Sequence, residues 1–147
     1  MNKDSVRGKL IDLASAELDS ARVAYSEHLK ASKPVEDQAT AVDDQAQAWS
    51  QAELAEDLEK MLRTAEAKIA VLNALDFGPK EFVEPGAIVT VDGRHFVIGV
   101  SMDRFTCEGI ELTGLSPLAP FYRAIDGLGK SDTAEFGGRK VKIEEVI

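Results

Sequence analysis

The sequence changes character at Asp76-Phe77-Gly78-Pro79-Lys80. Before this stretch apolar residues recur every three or four positions, the period of an amphipathic helix, and after it they alternate, the period of a strand. Gly78 and Pro79 favour a helix end, because glycine readily adopts the conformation that closes a helix and proline cannot continue one. We therefore predict an α+β chain of two domains, residues 1–76 and residues 77–147.

The first domain carries two helical arms, from about Asp4 to Ser32 and from about Asp43 to Leu75. In each arm apolar or small residues alternate at spacings of three and four, the heptad pattern of a coiled coil. Two such arms joined by a short connection bury each other's seams, which predicts an antiparallel hairpin. The seam residues are Ile11, Ala14, Leu18, Ala21, Tyr25 and His28 in the first arm, and Ala55, Leu58, Leu62, Ala65, Ile69 and Leu72 in the second.

An acidic tip, near residues 36–45, connects the two arms. Pro34 ends the first arm, because proline disfavours helix at the residue before it. Asp43 and Asp44 allow two interpretations. Acids at a helix N-terminus cap free amides, and the residues alone favour this. Exposed carboxylates could also bind a hard cation such as Mg²⁺, but one or two carboxylates need further ligands from a partner.

The second domain has the pattern of a small antiparallel sheet. Asp92-Gly93 and Gly137-Gly138 are signals for tight hairpin turns. Phe121–Ile125 is long enough only for a short helix. The predicted strands are Ala87–Val91, Arg94–Val100, Phe105–Leu112, Thr133–Phe136 and Arg139–Val146.

Composition limits the classes of function. A net charge of −9 argues against free nucleic acid as the main partner, because such binding needs lysine and arginine to replace counterions. A positively charged protein surface or channel fits better. Cys107 is the only cysteine, which predicts no internal disulfide, a structural thiol and a reducing compartment. The sequence has no apolar stretch typical of a signal peptide or a membrane span, and we expect a cytoplasmic protein.

No catalytic motif stands out. The two histidines, His28 and His95, lie in different segments without the spacing of a metal site. The glycines lack the pattern of a phosphate-binding loop or of a nucleophile elbow.

The last third of the chain carries a gap-free series of motifs: Ala119–Ile125, Gly127, Asp132, Phe136–Arg139 and Val141–Val146. This series resembles the closing stretch of the bacterial GreA/GreB-type transcript-cleavage factors, which have a Ser-Pro-Ile-Ala-Arg element, a glycine, a Gly-Asp turn and a final strand pair around Gly-Gly. Pro85–Val89 is also similar to the family's first strand after its coiled coil. The resemblance implies an FKBP-like C-terminal domain behind the antiparallel coiled-coil hairpin.

The resemblance also implies a function. Factors of this family bind core RNA polymerase, insert the coiled coil into the secondary channel and act on backtracked or paused complexes. Asp43 and Asp44 would then bind Mg²⁺ shared with the polymerase active site, with no cofactor bound by this chain alone. Pro120, Phe121, Tyr122 and Arg123 would bind the polymerase.

On this interpretation the chain is not itself an enzyme, and stimulates the RNA cleavage activity of the polymerase. It would contact nascent RNA only indirectly. We expect no direct DNA binding, no membrane association and a monomer.

Other functions remain open. The family's tip carries an Asp with a Glu three residues on, whereas Ala46 and Gln47 lie three residues after Asp43 and Asp44. The chain could therefore be a regulator or inhibitor that enters the channel without promoting cleavage. Another alternative is a prolyl isomerase or chaperone, which would need an aromatic pocket, and a last one is a scaffold that dimerises through its helices. The aromatics available for a pocket are Phe96, Phe105, Phe121, Tyr122 and Phe136.

Overall fold

A computed structural model describes residues 1–31 and 42–147 of the protein, and the side chains of residues 1–31 and 49–147. The predicted fold class is confirmed: two long helices precede a six-stranded, mostly antiparallel sheet with one short helix. The helices are α1 (Lys3–Ala31), α2 (Val42–Ala74) and α3 (Pro120–Ile125). The strands are β1 (Ile88–Val91), β2 (Arg94–Ile98), β3 (Met102–Cys107), β4 (Ile110–Leu115), β5 (Thr133–Phe136) and β6 (Arg139–Val146).

The described residues form two compact units, one of Leu13–Ile69 and one of Met1–Asp12 with Ala70–Ile147. None of the helices in the described part of the chain is long and apolar enough to cross a membrane.

The unit of Leu13–Ile69 is an antiparallel helix pair. The Tyr25 hydroxyl donates a hydrogen bond to Glu59 Oε1 at 3.0 Å, and Lys68 Nζ pairs with Glu17 Oε2 at 3.0 Å. Tyr25 follows Glu17 on α1, whereas its partner Glu59 precedes Lys68 on α2. The two helices therefore run in opposite directions, as predicted. The predicted seam is the less exposed face, with Ala14, Leu18, Ala21 and Ala65 buried. Since alanine buries little apolar area, this seam stabilises the pair only modestly.

The second unit contains the sheet, in the order β3-β4-β2-β1-β6-β5. All neighbouring strands are antiparallel except β2 and β4, which are parallel. The predicted turns at Asp92-Gly93 and Gly137-Gly138 are present, and all four residues have positive φ.

One predicted strand is wrong. The expected continuous strand Phe105–Leu112 is a hairpin, because the chain reverses at Glu108 and Gly109. These residues have φ of 52° and 77°, the left-handed values that a tight two-residue hairpin turn requires. Cys107, the last residue of β3, is buried, which agrees with a structural thiol.

The core of the sheet lies beneath α3. Val89, Val91 and Ile98 pack there with Tyr122 and Ile125 of the helix. Together with the buried residues of β6, they fix α3 against one face of the sheet.

Candidate docking surface

The helix α3 begins at Pro120, one residue after Ala119, where the gap-free resemblance starts. Ala119 is extended, with ψ of 139°, and Pro120 takes the first helical position. Proline suits this position because its φ is preset and the missing N–H would have no partner inside the helix. Arg123 N donates to the Ala119 carbonyl at 3.2 Å, which closes the first turn. The short helix is therefore placed by its own sequence and by its packing on the sheet.

The structure divides the four predicted polymerase-binding residues into two kinds. Pro120 and Arg123 are exposed. Residues three apart lie on the same side of a helix, so these two form one outward face. Tyr122 is buried, and Phe121 is half-buried. Pro120 and Arg123 are accessible to a partner, whereas Tyr122 acts on the surface only by holding α3 in place.

The contacts of Tyr122 explain its position. Its hydroxyl donates a hydrogen bond to Asp126 Oδ1 at 2.9 Å. Burial, assisted by this bond to a carboxylate, raises the pKa of Tyr122 to about 12. The neutral phenol therefore links the first turn of α3 to Asp126, the residue directly after the helix.

Phe121 lies between two other aromatic rings. Its ring centroid is 5.2 Å from that of Phe96, with the planes at 50°, and 5.2 Å from that of Phe136, with the planes at 70°. Tilted and edge-on contacts of this kind are favourable for aromatic pairs. The three rings line a cavity of about 580 Å³, here called the aromatic groove, which Asp92, Arg94 and Arg139 also line.

Arg94 and Arg139 are functional candidates that the sequence interpretation missed. Each directly follows a glycine-containing turn, Asp92-Gly93 or Gly137-Gly138. Both turns lie at the same end of the sheet, since Val91 next to the first turn pairs with Ile143 in β6. The sequence shows an arginine directly after each of the two tight turns. This pattern indicates a shared site only once the structure shows that the two hairpins are neighbours in the sheet.

The predicted metal ligands, Asp43 and Asp44, are in the first turn of α2. Their side chains lie outside the described residues, so the structure gives no ligand geometry for Mg²⁺. Among the side chains that are described, no group of three or more His, Cys, Asp or Glu residues could hold a metal ion. The assignment of Asp43 and Asp44 to a metal stays a prediction.

The described residues thus define an α+β protein with an antiparallel helix pair and a sheet unit that presents an exposed helix face beside an aromatic groove. No family model and no curated protein matches the chain. Among solved structures it is similar to the GreA factor homolog 1 (Gfh1) of Thermus thermophilus, with 15% identity over 96% of this chain and 92% of that one, and a TM-score of 0.35.

Two further structures are similar at the same level. One is described as the transcription factor Gfh1, with 13% identity over 95% of this chain and 90% of that one, and a TM-score of 0.36. The other is Thermus aquaticus Gfh1, with 16% identity over 92% of both chains and a TM-score of 0.33.

Proposed function

We propose that this protein binds core RNA polymerase, inserts its helix pair into the secondary channel and acts on backtracked or paused complexes. The observation that carries the proposal is the exposure of Pro120 and Arg123. They are the two positions at which the chain keeps the Ser-Pro-Ile-Ala-Arg element of the Gre-type factors. Pro120 also has a folding role at the start of α3, but the exposed Arg123 forms no ion pair among the described residues, so a shared partner accounts better for its retention.

The helix pair has a surface suited to contact with protein. On α2 the side chains of Trp49 and Met61 expose 78% and 57% of their area. Large apolar side chains at this exposure favour burial against a partner, and tryptophan often anchors interfaces. The net charge of −9 also favours entry into a positively charged channel.

The acidic tip would act inside the channel. Successive residues of a helix are rotated by about 100° about its axis, so Asp43 and Asp44 would not both face one cation. Asp43 would be the main metal ligand and Asp44 a secondary one. Asp43 would contribute one oxygen to a site completed by carboxylates of the polymerase. The shared Mg²⁺, when bound, would supply the Lewis acidity that RNA cleavage needs.

A second candidate function is favoured by one feature of the tip. Ala46 and Gln47 follow the two acids at the spacing where Gre-type factors carry Glu. With fewer oxygen ligands the metal would be held less well, and the protein would occupy the channel without promoting cleavage. This regulator would inhibit RNA synthesis and leave the length of backtracked RNA unchanged.

The deciding experiment uses purified backtracked complexes carrying end-labelled RNA. The cleavage factor would shorten the RNA, and Asp43→Asn would remove this effect without removing binding to the polymerase. Asp57→Asn is the matched control, since Asp57 is an exposed acid of the same helix at a distance from the tip. Binding with inhibition but no shortening identifies the regulator. Failure of the wild-type protein to bind core polymerase overturns both functions.

A further inference from the structure

The aromatic groove is lined by residues of two neighbouring hairpins and of α3. In β2, Arg94 pairs with Val91 of β1, and Phe96 pairs with Val89. Cross-strand partners point to the same face of a sheet. Since Val89 and Val91 pack beneath α3, Arg94 and Phe96 must also lie on the α3 face.

The other side of the aromatic groove is built in the same way. Arg139 of β6 pairs with Phe136 of β5, and two residues further along, on the same face, Val141 pairs with Ala134. Val141 belongs to the core beneath α3, so Phe136 and Arg139 share that face. Each side of the groove therefore contributes one phenylalanine and one arginine, and Phe121 from α3 lies between the two phenylalanines.

The two arginines are available to a ligand. Both are exposed, and among the described residues neither forms an ion pair with a carboxylate. By contrast, Arg104 on the edge strand β3 pairs with Glu111 at 3.3 Å. The one acid lining the groove, Asp92, leaves it with a net positive charge, although the chain as a whole carries −9.

We propose that the aromatic groove is a docking site for a protein segment that presents an aromatic or large aliphatic side chain flanked by carboxylates. The apolar side chain would enter the cavity of about 580 Å³ and contact Phe121 and Phe136. The flanking carboxylates would pair with Arg94 and Arg139, whose planar guanidinium groups suit carboxylate oxygens. This inference rests on the groove alone and stands whether or not the partner is RNA polymerase.

A protein segment is favoured over a nucleic acid by the charge of the molecule. Aromatic rings beside arginines could also stack on unpaired bases. However, a strongly negative chain repels a phosphate backbone, and Asp92 adds a negative charge at the groove itself. A short acidic protein segment would need only Arg94 and Arg139 to pair with its carboxylates.

The test is a titration of the full-length, isotope-labelled protein followed by NMR. The probe is a short synthetic peptide with a phenylalanine between glutamates. It should shift the backbone amide signals of Phe96, Phe121 and Phe136. The double variant Arg94→Met/Arg139→Met, which keeps most of the apolar stems, should bind about five- to tenfold more weakly, as expected for two partly exposed ion pairs. The same loss is expected when glutamine replaces the glutamates.

Arg104→Met is the matched control, because it removes an arginine of the same sheet that already has a partner, and it should leave the affinity unchanged. Circular dichroism verifies that each variant is folded. The proposal would be overturned by no shift at the three phenylalanines, by equal binding of the glutamine peptide, or by binding of a single-stranded oligouridine in place of the peptide. Equal binding of a neutral proline-containing peptide, as a prolyl isomerase requires, would also overturn it.

Discussion

Lys3 Nζ donates a hydrogen bond to the carbonyl oxygen of Ile147 at 3.0 Å and a second to the carbonyl oxygen of Gly78 at 2.8 Å. One ammonium group thus joins the first turn of α1, the segment after α2 and the residue that follows β6. Burial, together with the positive charge of Lys80, lowers the pKa of Lys3. Lys3 therefore has a structural role in the sheet unit, although it is only the third residue of the sequence and lies far from the strands along the chain.

Replacement of Lys3 by methionine should destabilise the protein by about 1–3 kcal/mol, because two carbonyl groups lose a charged donor. The measurement is the free energy of unfolding from urea denaturation. Lys9→Met is the control, since Lys9 is an exposed lysine of the same helix and forms no ion pair among the described residues. Equal stability of the two variants would contradict the role given to Lys3.

Stability should fall at high pH through Tyr122. The pKa of Tyr122 is raised to about 12, while an unfolded tyrosine has a pKa of about 10. The folded state therefore holds this proton more tightly, and the stabilisation is complete below about pH 10 and is lost as the pH approaches 12. Unfolding measured from pH 9 to pH 12 should show this fall, and Tyr122→Phe should make it smaller.

The titration of Tyr122 can also be observed directly. The chain has two tyrosines, Tyr25 and Tyr122, so the ultraviolet absorbance of the Tyr25→Phe variant reports Tyr122 alone. A midpoint close to that of free tyrosine would show that burial and the bond to Asp126 do not protect the phenol.

Two glycine-to-alanine changes should have opposite effects. Gly86 has φ of 94°, and a Cβ there would overlap the carbonyl oxygen of Asp76, so Gly86→Ala should cost more than about 2 kcal/mol. Gly8 lies within α1 with open space around it, and Gly8→Ala should stabilise by about 0.5–1 kcal/mol. Thermal unfolding of both variants provides the comparison. The same sign of change at both positions would contradict this account.

Arg123→Ala should weaken copurification with core RNA polymerase without unfolding the protein. Arg123 is exposed and forms no ion pair among the described residues, so its loss should alter stability by less than about 0.5 kcal/mol. The comparison is with Lys130→Ala, which removes an exposed cation that is not part of α3. Unchanged binding by Arg123→Ala would remove this face from the docking surface.

The sequence predicted the fold well where local patterns decide it. Both helices, both glycine turns and the last hairpin were evident from periodicity and turn residues. The turn at Glu108 and Gly109 was not, because glutamate at positive φ is uncommon and the flanking residues continue an alternating pattern. The parallel pairing of β2 with β4 also escaped prediction, since pairing between separated strands leaves no local signal.

For the candidate docking surface, the sequence proposed a segment but did not show which of its residues are exposed. Pro120, Phe121, Tyr122 and Arg123 are consecutive, and only packing reveals that Tyr122 faces the core while Arg123 faces solvent. Arg94 and Arg139 come together through sheet pairing, which local sequence cannot specify. The metal-binding role predicted for Asp43 and Asp44 would depend on oxygens from a partner, so this chain alone does not test it.

The order of the strands has a consequence for biosynthesis. β1 is flanked by β2, which follows it at once, and by β6, which is translated much later. Until Arg139–Val146 has left the ribosome, one edge of β1 has no strand to pair with, and the core beneath α3 lacks Val141 and Ile143. The helix pair needs only earlier residues and can form first. The emerging chain should therefore carry a folded helix pair ahead of an incomplete sheet with an open, aggregation-prone edge.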